Sequence, residues 1–203
     1  MDFRAVGPRP YAYAGFLGIA VMAIAVFVCM FSDHTWDIRY ASMCDFGVSD
    51  IAYVSFTFIG GCVVSGILFM ISGFGRSLFT DSRYDRAGSL VISLAGLALV
   101  CVGVLDETFS FHQYVTISFA AIFMIGILLV SIQDIIDRNY ILLIGLALVG
   151  LFGFASLFAN AIPYAVVQIV LVGYTFIWYI FKSLVFFDIS SPLIRRIAGM
   201  DRA

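Results

Sequence analysis

Six side chains concentrate the chemistry this sequence offers: Asp45, Ser49 and Asp50 ahead of one apolar run, and Asp106, Glu107 and His112 ahead of another. Carboxylates beside a histidine suit three tasks. They can hold a cation or the headgroup of a lipid. They can hold a divalent metal, with His112, Asp106 and Asp45 as the candidate ligands. Or His112 can act as a general base oriented by Asp106, as an intramembrane lipid hydrolase or transferase would need, metal-assisted or not. Ser49 and Asp50 also stand where N-cap residues stand, and an acid there meets the positive end of the helix dipole. Asp45 is too far upstream to be that cap. Asp106 and Glu107 close an apolar run, where the dipole opposes acids, so capping does not account for them. His112 either exchanges a proton, binds metal or sits solvated at an interface. The chain has 2 His and no HExxH, GxSxG or phosphate-loop pattern, so no catalytic motif decides among these uses.

These residues must be positioned by membrane helices. Of the 203 residues, 63% are hydrophobic and 12% charged, whereas soluble domains lie near half apolar and a quarter charged. The apolar residues form blocks of about 20, enough to span ~30 Å of hydrocarbon at ~1.5 Å per residue. The blocks predict an all-α, polytopic bundle in one domain over 1–203, with six spans at about 11–31, 51–74, 88–105, 113–132, 141–159 and 163–187. The first block ends in Cys and Met without a small-residue cleavage site, so it reads as a retained helix. A net charge of −2 leaves no basic footprint for nucleic acid. Three of the 4 Cys lie in apolar blocks, where Cys is a small buried hydrophobe. Cys44 alone lies in a loop, which excludes a loop-to-loop disulfide within the chain.

Basic residues predict the orientation. With the N-terminus inside, the inner segments hold Arg4, Arg9, Arg76, Arg83, Arg86, Arg138, Lys182, Arg195, Arg196 and Arg202, and the outer loops hold only Arg39. Both termini are then cytoplasmic in a multi-pass protein of the cell membrane. Asp33, Asp37, Asp45, Asp50, Asp106, Glu107, His34 and His112 all face outward. On this reading Gly75–Ala87 and Gln133–Tyr140 are polar turns. The spans themselves hold few charges, which counts against an ion-driven transporter or pore, the third functional class considered.

Small residues mark helix contacts in lipid. Ser55, Thr57, Gly60, Gly61, Ser65, Gly66 and Ser72 make the second span the expected centre of the bundle. The same face would equally serve a homo-oligomer. Ser89, Ser93 and Gly96 share a face of the third span. Gln168 should seek a hydrogen bond from a neighbouring helix. Tyr11, Tyr13, Tyr40, Tyr53, Tyr114, Tyr140, Tyr164 and Tyr179 fall at span ends as an aromatic belt, with Trp178 beside the last of them.

The run RYASMCDFGVSD followed by a Gly-rich span resembles the signature opening the second span of a prokaryotic six-span family catalogued as domain of unknown function 998. GLALVCVGVLDETFSFHQYVTISFAAIF resembles its second hallmark, a Gly-rich span, an acidic loop and a His leading into the next span. The resemblance implies six spans, and places Asp45, Gly47 and Ser49 at the first motif and Asp106 and His112 at the second. Cys44 stands where that family tends to have Ser. The family is similar in layout to stress-linked eukaryotic six-helix lipid-trafficking proteins. A fainter likeness is to the seven-span alkaline-ceramidase type of hydrolase, from which this chain differs by one span and at least one His. The expectation drawn from residues and resemblance together is a membrane protein with membrane lipids as partners and an acidic, His-containing outer pocket for a lipid headgroup or cation.

Overall fold

The computed structural model describes residues 7–105, 108–136 and 163–187. Among these residues five long helices form: α1 Arg9–Ser32, α2 Ala52–Phe79, α3 Arg83–Val104, α4 His112–Ile136 and α5 Tyr164–Phe187. A short 3-10 helix, Cys44–Val48, lies in the α1–α2 loop. All five helices are long and apolar enough to cross a membrane. The span expected at 141–159 lies outside the described residues.

The bundle has two ends. The α1–α2 loop marks one, the loop end, and the α2–α3 turn marks the other, the turn end. α2 packs along α1 on one side and α3 on the other, as its small residues foreshadow. A Cβ on Gly61 would stand 2.5 Å from the Ala25 Cβ on α1. A Cβ on Gly66 would stand 2.6 Å from the Gly96 carbonyl oxygen on α3, and one on Gly96 would stand 2.6 Å from the Gly66 carbonyl oxygen. Ser93 Oγ on α3 donates to the Met70 carbonyl across the same seam at 2.9 Å. Gly61 and Gly66 of that face therefore meet α1 and α3, and among the described residues Gly60 is the α2 glycine with open space beside it. α4 extends the row beyond α3, and α5 lies against α1.

The distribution of side chains is inverted relative to a water-soluble protein. Leu17, Ile24, Phe27, Phe56, Leu94, Ile117 and Ile125 are exposed, while Ser65, Ser72, Ser89, Ser131, Asp134 and Lys182 are buried. That arrangement suits a hydrocarbon solvent, in which apolar surface faces out and polar groups find partners within. Phe69, Phe123 and Tyr179 fill the middle, with ring centroids 5.4 to 6.2 Å apart.

Three expectations are corrected. The segment 75–87 is mostly helical, and only Thr80–Ser82 breaks it. Ser82 caps α3 by accepting from the Asp85 amide. Gln133–Ile136 continues α4 rather than starting a turn. Paired charges let the backbone ladder run on where the apolar run stops. Trp178 and Tyr179 are buried in the core, not arrayed in a belt. Tyr13, Tyr53 and Tyr114 are exposed near helix ends, as a belt requires.

Candidate polar pocket at the loop end

The α1–α2 loop is folded over the bundle by its own hydrogen bonds. Asp33, just past α1, accepts from Thr35 N at 3.0 Å, Thr35 Oγ1 at 2.6 Å and Ser49 Oγ at 2.6 Å. One buried carboxylate thus ties the start of the loop to its end. Trp36 Nε1 donates to the Ser42 carbonyl at 2.8 Å, and its ring lies 4.8 Å from Phe46. Phe46 is fully buried and meets Phe58 on α2. Ser55 Oγ on α2 donates to the Gly47 carbonyl at 2.7 Å. The 3-10 helix is held against both its own loop and α2.

Ser42 and Asp45 bond to one another just ahead of and within that 3-10 helix, whose N-cap is Met43. Ser42 Oγ accepts from Cys44 N at 3.1 Å, while the Asp45 carboxylate accepts from Ser42 N at 2.8 Å and Ser42 Oγ at 2.9 Å. Asp45 is therefore explained locally, by a helix that hydropathy does not reveal. Ser49 is bonded to Asp33 and accepts from Ile51 N at 3.3 Å. The N-cap of α2 is Ile51, with no side-chain cap bond. Neither Ser49 nor Asp50 plays the expected capping role for α2, and Asp50 is exposed.

His112 opens α4 and is buried. Its Nδ1 meets the Leu105 carbonyl oxygen, which can only accept, so Nδ1 carries the proton in that contact. A neutral ring then presents its lone pair at Nε2, 3.3 Å from Thr116 Oγ1. Thr116 Oγ1 also lies 3.1 Å from the His112 carbonyl and 3.9 Å from Cys44 Sγ. The group on Nδ1 is thus a backbone carbonyl, in the place where the sequence suggests a carboxylate from Asp106. Asp106 and Glu107 lie outside the described residues.

Between these elements lies a pocket of about 520 Å³. Ser42, Cys44 and Asp45 come from the loop, His112, Gln113 and Thr116 from α4, and Gln168 from α5. Tyr40, Phe109 and Ile117 form apolar parts of its wall. Two expected residues, Asp45 and His112, are brought together here, while Ser49 and Asp50 are not in its lining. Gln168 finds the partner it was expected to need, though on the loop rather than a helix: its Oε1 accepts from Met43 N at 2.9 Å. Among the described residues no three His, Cys, Asp or Glu side chains converge as metal ligands.

Asp33 was the residue that sequence reasoning passed over. Hydrogen bonds from Ser49 and then Thr35 hold its carboxyl below the ordinary carboxylate range. A depressed carboxyl stabilises the fold above its unfolded value of ~3.9 and loses that contribution as pH falls through the folded value. The loop should therefore loosen only in acid. Ser49→Ala should move that acid transition to higher pH, read from Trp36 emission or amide exchange over residues 33–51. An unchanged midpoint would show that Asp33 does not hold the loop.

Compared with known proteins, the chain matches no family model, no curated protein and no solved structure.

Proposed function

We propose that this is a six-span protein of the cell membrane, with cytoplasmic termini, whose loop-end pocket binds the polar head of a lipid bearing an amine. The observation that carries this is the pocket itself: three separate segments bring Asp45, His112, Thr116 and Gln168 to one recess at the end of an apolar bundle. The wall is mixed. Tyr40, Phe109 and Ile117 are exposed apolar side chains at the same recess, suited to the first carbons of an acyl chain. Among the described residues Asp45 supplies the only carboxylate in that lining, which favours an amine or other cation over an anionic head. Six spans fit the polarity of the helices: α4 ends at the turn end and Gln168 near the start of α5 lies at the loop end. The charge bias of the sequence sets that loop end outside. On this reading the chain groups with the six-span family its motifs at Arg39–Asp50 and Gly96–Phe123 resemble.

Native mass spectrometry of the protein in nanodiscs tests the reading, comparing phosphatidylethanolamine with phosphatidylglycerol of the same chains. Retention of the amine lipid is expected. Asp45→Asn should weaken it about tenfold, the equivalent of ~1.4 kcal/mol, close to the lower end for a hydrogen bond to a charged group, about 1.5–3 kcal/mol. Equal retention of both lipids, or no effect of Asp45→Asn, would remove the proposal. A calcium titration in the same nanodiscs separates a free cation from a headgroup.

The runner-up is a lipid hydrolase or transferase with His112 as base. It draws on the Nε2 lone pair and the Cys44–Thr116–His112 succession. Turnover of a lipid ester that His112→Gln abolishes would establish it over simple binding.

A further inference from the structure

The turn end holds a second polar centre, in a part of the molecule where the sequence suggests only surface charge. Lys182 Nζ on α5 donates to the Asp134 carboxylate on α4, with the two side chains 7% and 8% exposed. Arg76 on α2 forms a two-point pair with Asp85 on α3, with Nε donating to Oδ1 and Nη2 to Oδ2, each at 3.1 Å. Arg76 Nη1 also reaches the Lys182 carbonyl at 3.5 Å. Thr80 Oγ1, at the turn, donates to Asp85 Oδ2 at 2.9 Å. Four helices thus contribute one connected set of charges.

Among the described residues, three fully buried polar atoms on the two helices that carry this pair have no hydrogen-bond partner: Asp134 Oδ2, Ser131 Oγ and Trp178 Nε1. Ser131 and Asp134 are three residues apart on α4 and share a face. Trp178 and Lys182 are likewise neighbours on α5, with Nζ 5.8 Å from the Trp178 ring centroid. An orphaned buried polar atom costs about 1–3 kcal/mol, so three on the two helices joined by this pair point to something that satisfies them. The set comprises an acceptor, a donor and a hydroxyl that is both. Water matches it. An anion would face the Asp134 carboxylate, and a metal cation would face the Lys182 ammonium. Internal water normally requires two to four such partners.

We propose that Asp134 is a proton-accepting site inside the bundle, fed through a water held by Ser131 Oγ and Trp178 Nε1. Arg76, bonded to the Lys182 carbonyl and to Asp85, which Thr80 also meets, lies between this pair and the α2–α3 turn. In the step, the carboxylate oxygen Oδ2 takes one proton from that water, and the water regains one from solvent at the turn. Among the described residues, the charged groups bearing on Asp134 are Lys182 on α5, Arg76 on α2 and Asp85 on α3. Uptake changes the charge of this four-residue set from zero to plus one. The site is independent of the loop-end pocket. It gives the protein an ionisable centre of the kind that pumps and transporters place within their helices.

The chain has 2 Trp, so Trp36→Phe leaves Trp178 as a reporter beside the pair. Its emission is read against pH, from about 4 to about 9, in nanodiscs. A one-proton transition is expected, and Asp134→Asn in the same background should abolish it. If Asp134→Asn alone fails to fold, Asp134→Asn with Lys182→Gln keeps a hydrogen-bonded neutral pair and should also lack the transition. Emission that stays flat in the Trp36→Phe protein, or a transition that survives in the folded Asp134 variant, would overturn the proposal.

Discussion

Gly66→Leu is expected to disrupt the bundle severely. Its first added atom would meet the Gly96 carbonyl oxygen at 2.6 Å, Val100 Cγ2 at 2.7 Å and the Val100 amide nitrogen at 2.9 Å. Two of those three are backbone atoms of α3, which cannot rotate away as a side-chain tip can. The helices must separate, and the Ser93 bond to the Met70 carbonyl goes with them. Overpacking in a tight core costs about 1–3 kcal/mol, and a backbone collision lies at the upper end or beyond it. Gly60→Leu is the matched control, since among the described residues no atom of another element lies within 4 Å of a Cβ there. In detergent, Gly66→Leu should lower the melting temperature sharply or yield aggregate on size-exclusion chromatography. Gly60→Leu should melt within a few degrees of the parent, because replacing glycine also favours the helix by up to ~1 kcal/mol. Equal behaviour of the two variants would show that the α2–α3 seam does not depend on close backbone approach.

That seam was legible in advance because its signal is local. Glycine and serine at helical spacing mark a contact face whatever the partner, and both Gly66 and Gly96 were singled out on that ground. His112 and Asp45 were legible as polar side chains at one end of the bundle, for the same reason. What could not be read is anything fixed by a distant partner. Gln168 was recognisably in need of one, but nothing nearby in sequence points to the Met43 amide. Asp33 looked like one acid among several until Ser49 closed on it from the far side of the loop. The 3-10 helix was hidden because five residues are too few to show a period. The turn-end charges were misread for a related physical reason. Hydropathy and charge bias treat a basic residue near a helix end as facing water. Lys182 instead points inward to Asp134, and Arg76 to Asp85. A spacing of 48 residues between Lys182 and Asp134 gives no hint of that pairing. Two charges, Lys182 and Asp134, are buried on the described helices, so the few charges the spans hold include a paired set.

Lys182→Met should therefore be far more damaging than the loss of one basic residue near a helix end would suggest. An exposed ion pair contributes at most about 1 kcal/mol, so its loss would scarcely register. Here the partner carboxylate is left buried on α4 without its cation, and breaking such a pair costs about 3–5 kcal/mol. Asp134→Leu should be as harmful in the opposite sense, stranding the Lys182 ammonium beside Trp178 and Arg76. The double variant Lys182→Met, Asp134→Leu removes both charges and fills the space with apolar atoms of similar length. Desolvation of the two ions no longer opposes folding, so its stability should return to within about 1 kcal/mol of the parent or exceed it, as for other buried pairs replaced by hydrophobes. The diagnostic quantity is the coupling in a double-mutant cycle, expected at about 3 kcal/mol or more for groups in direct contact. Unfolding in mixed micelles measures it, with Trp178 emission as the probe. Near-additive single losses would mean that the two side chains do not meet inside the bundle. A stable double variant would add a second conclusion. The pair would then be dispensable for the fold, and its presence among five apolar helices would need the functional explanation that proton uptake at Asp134 provides.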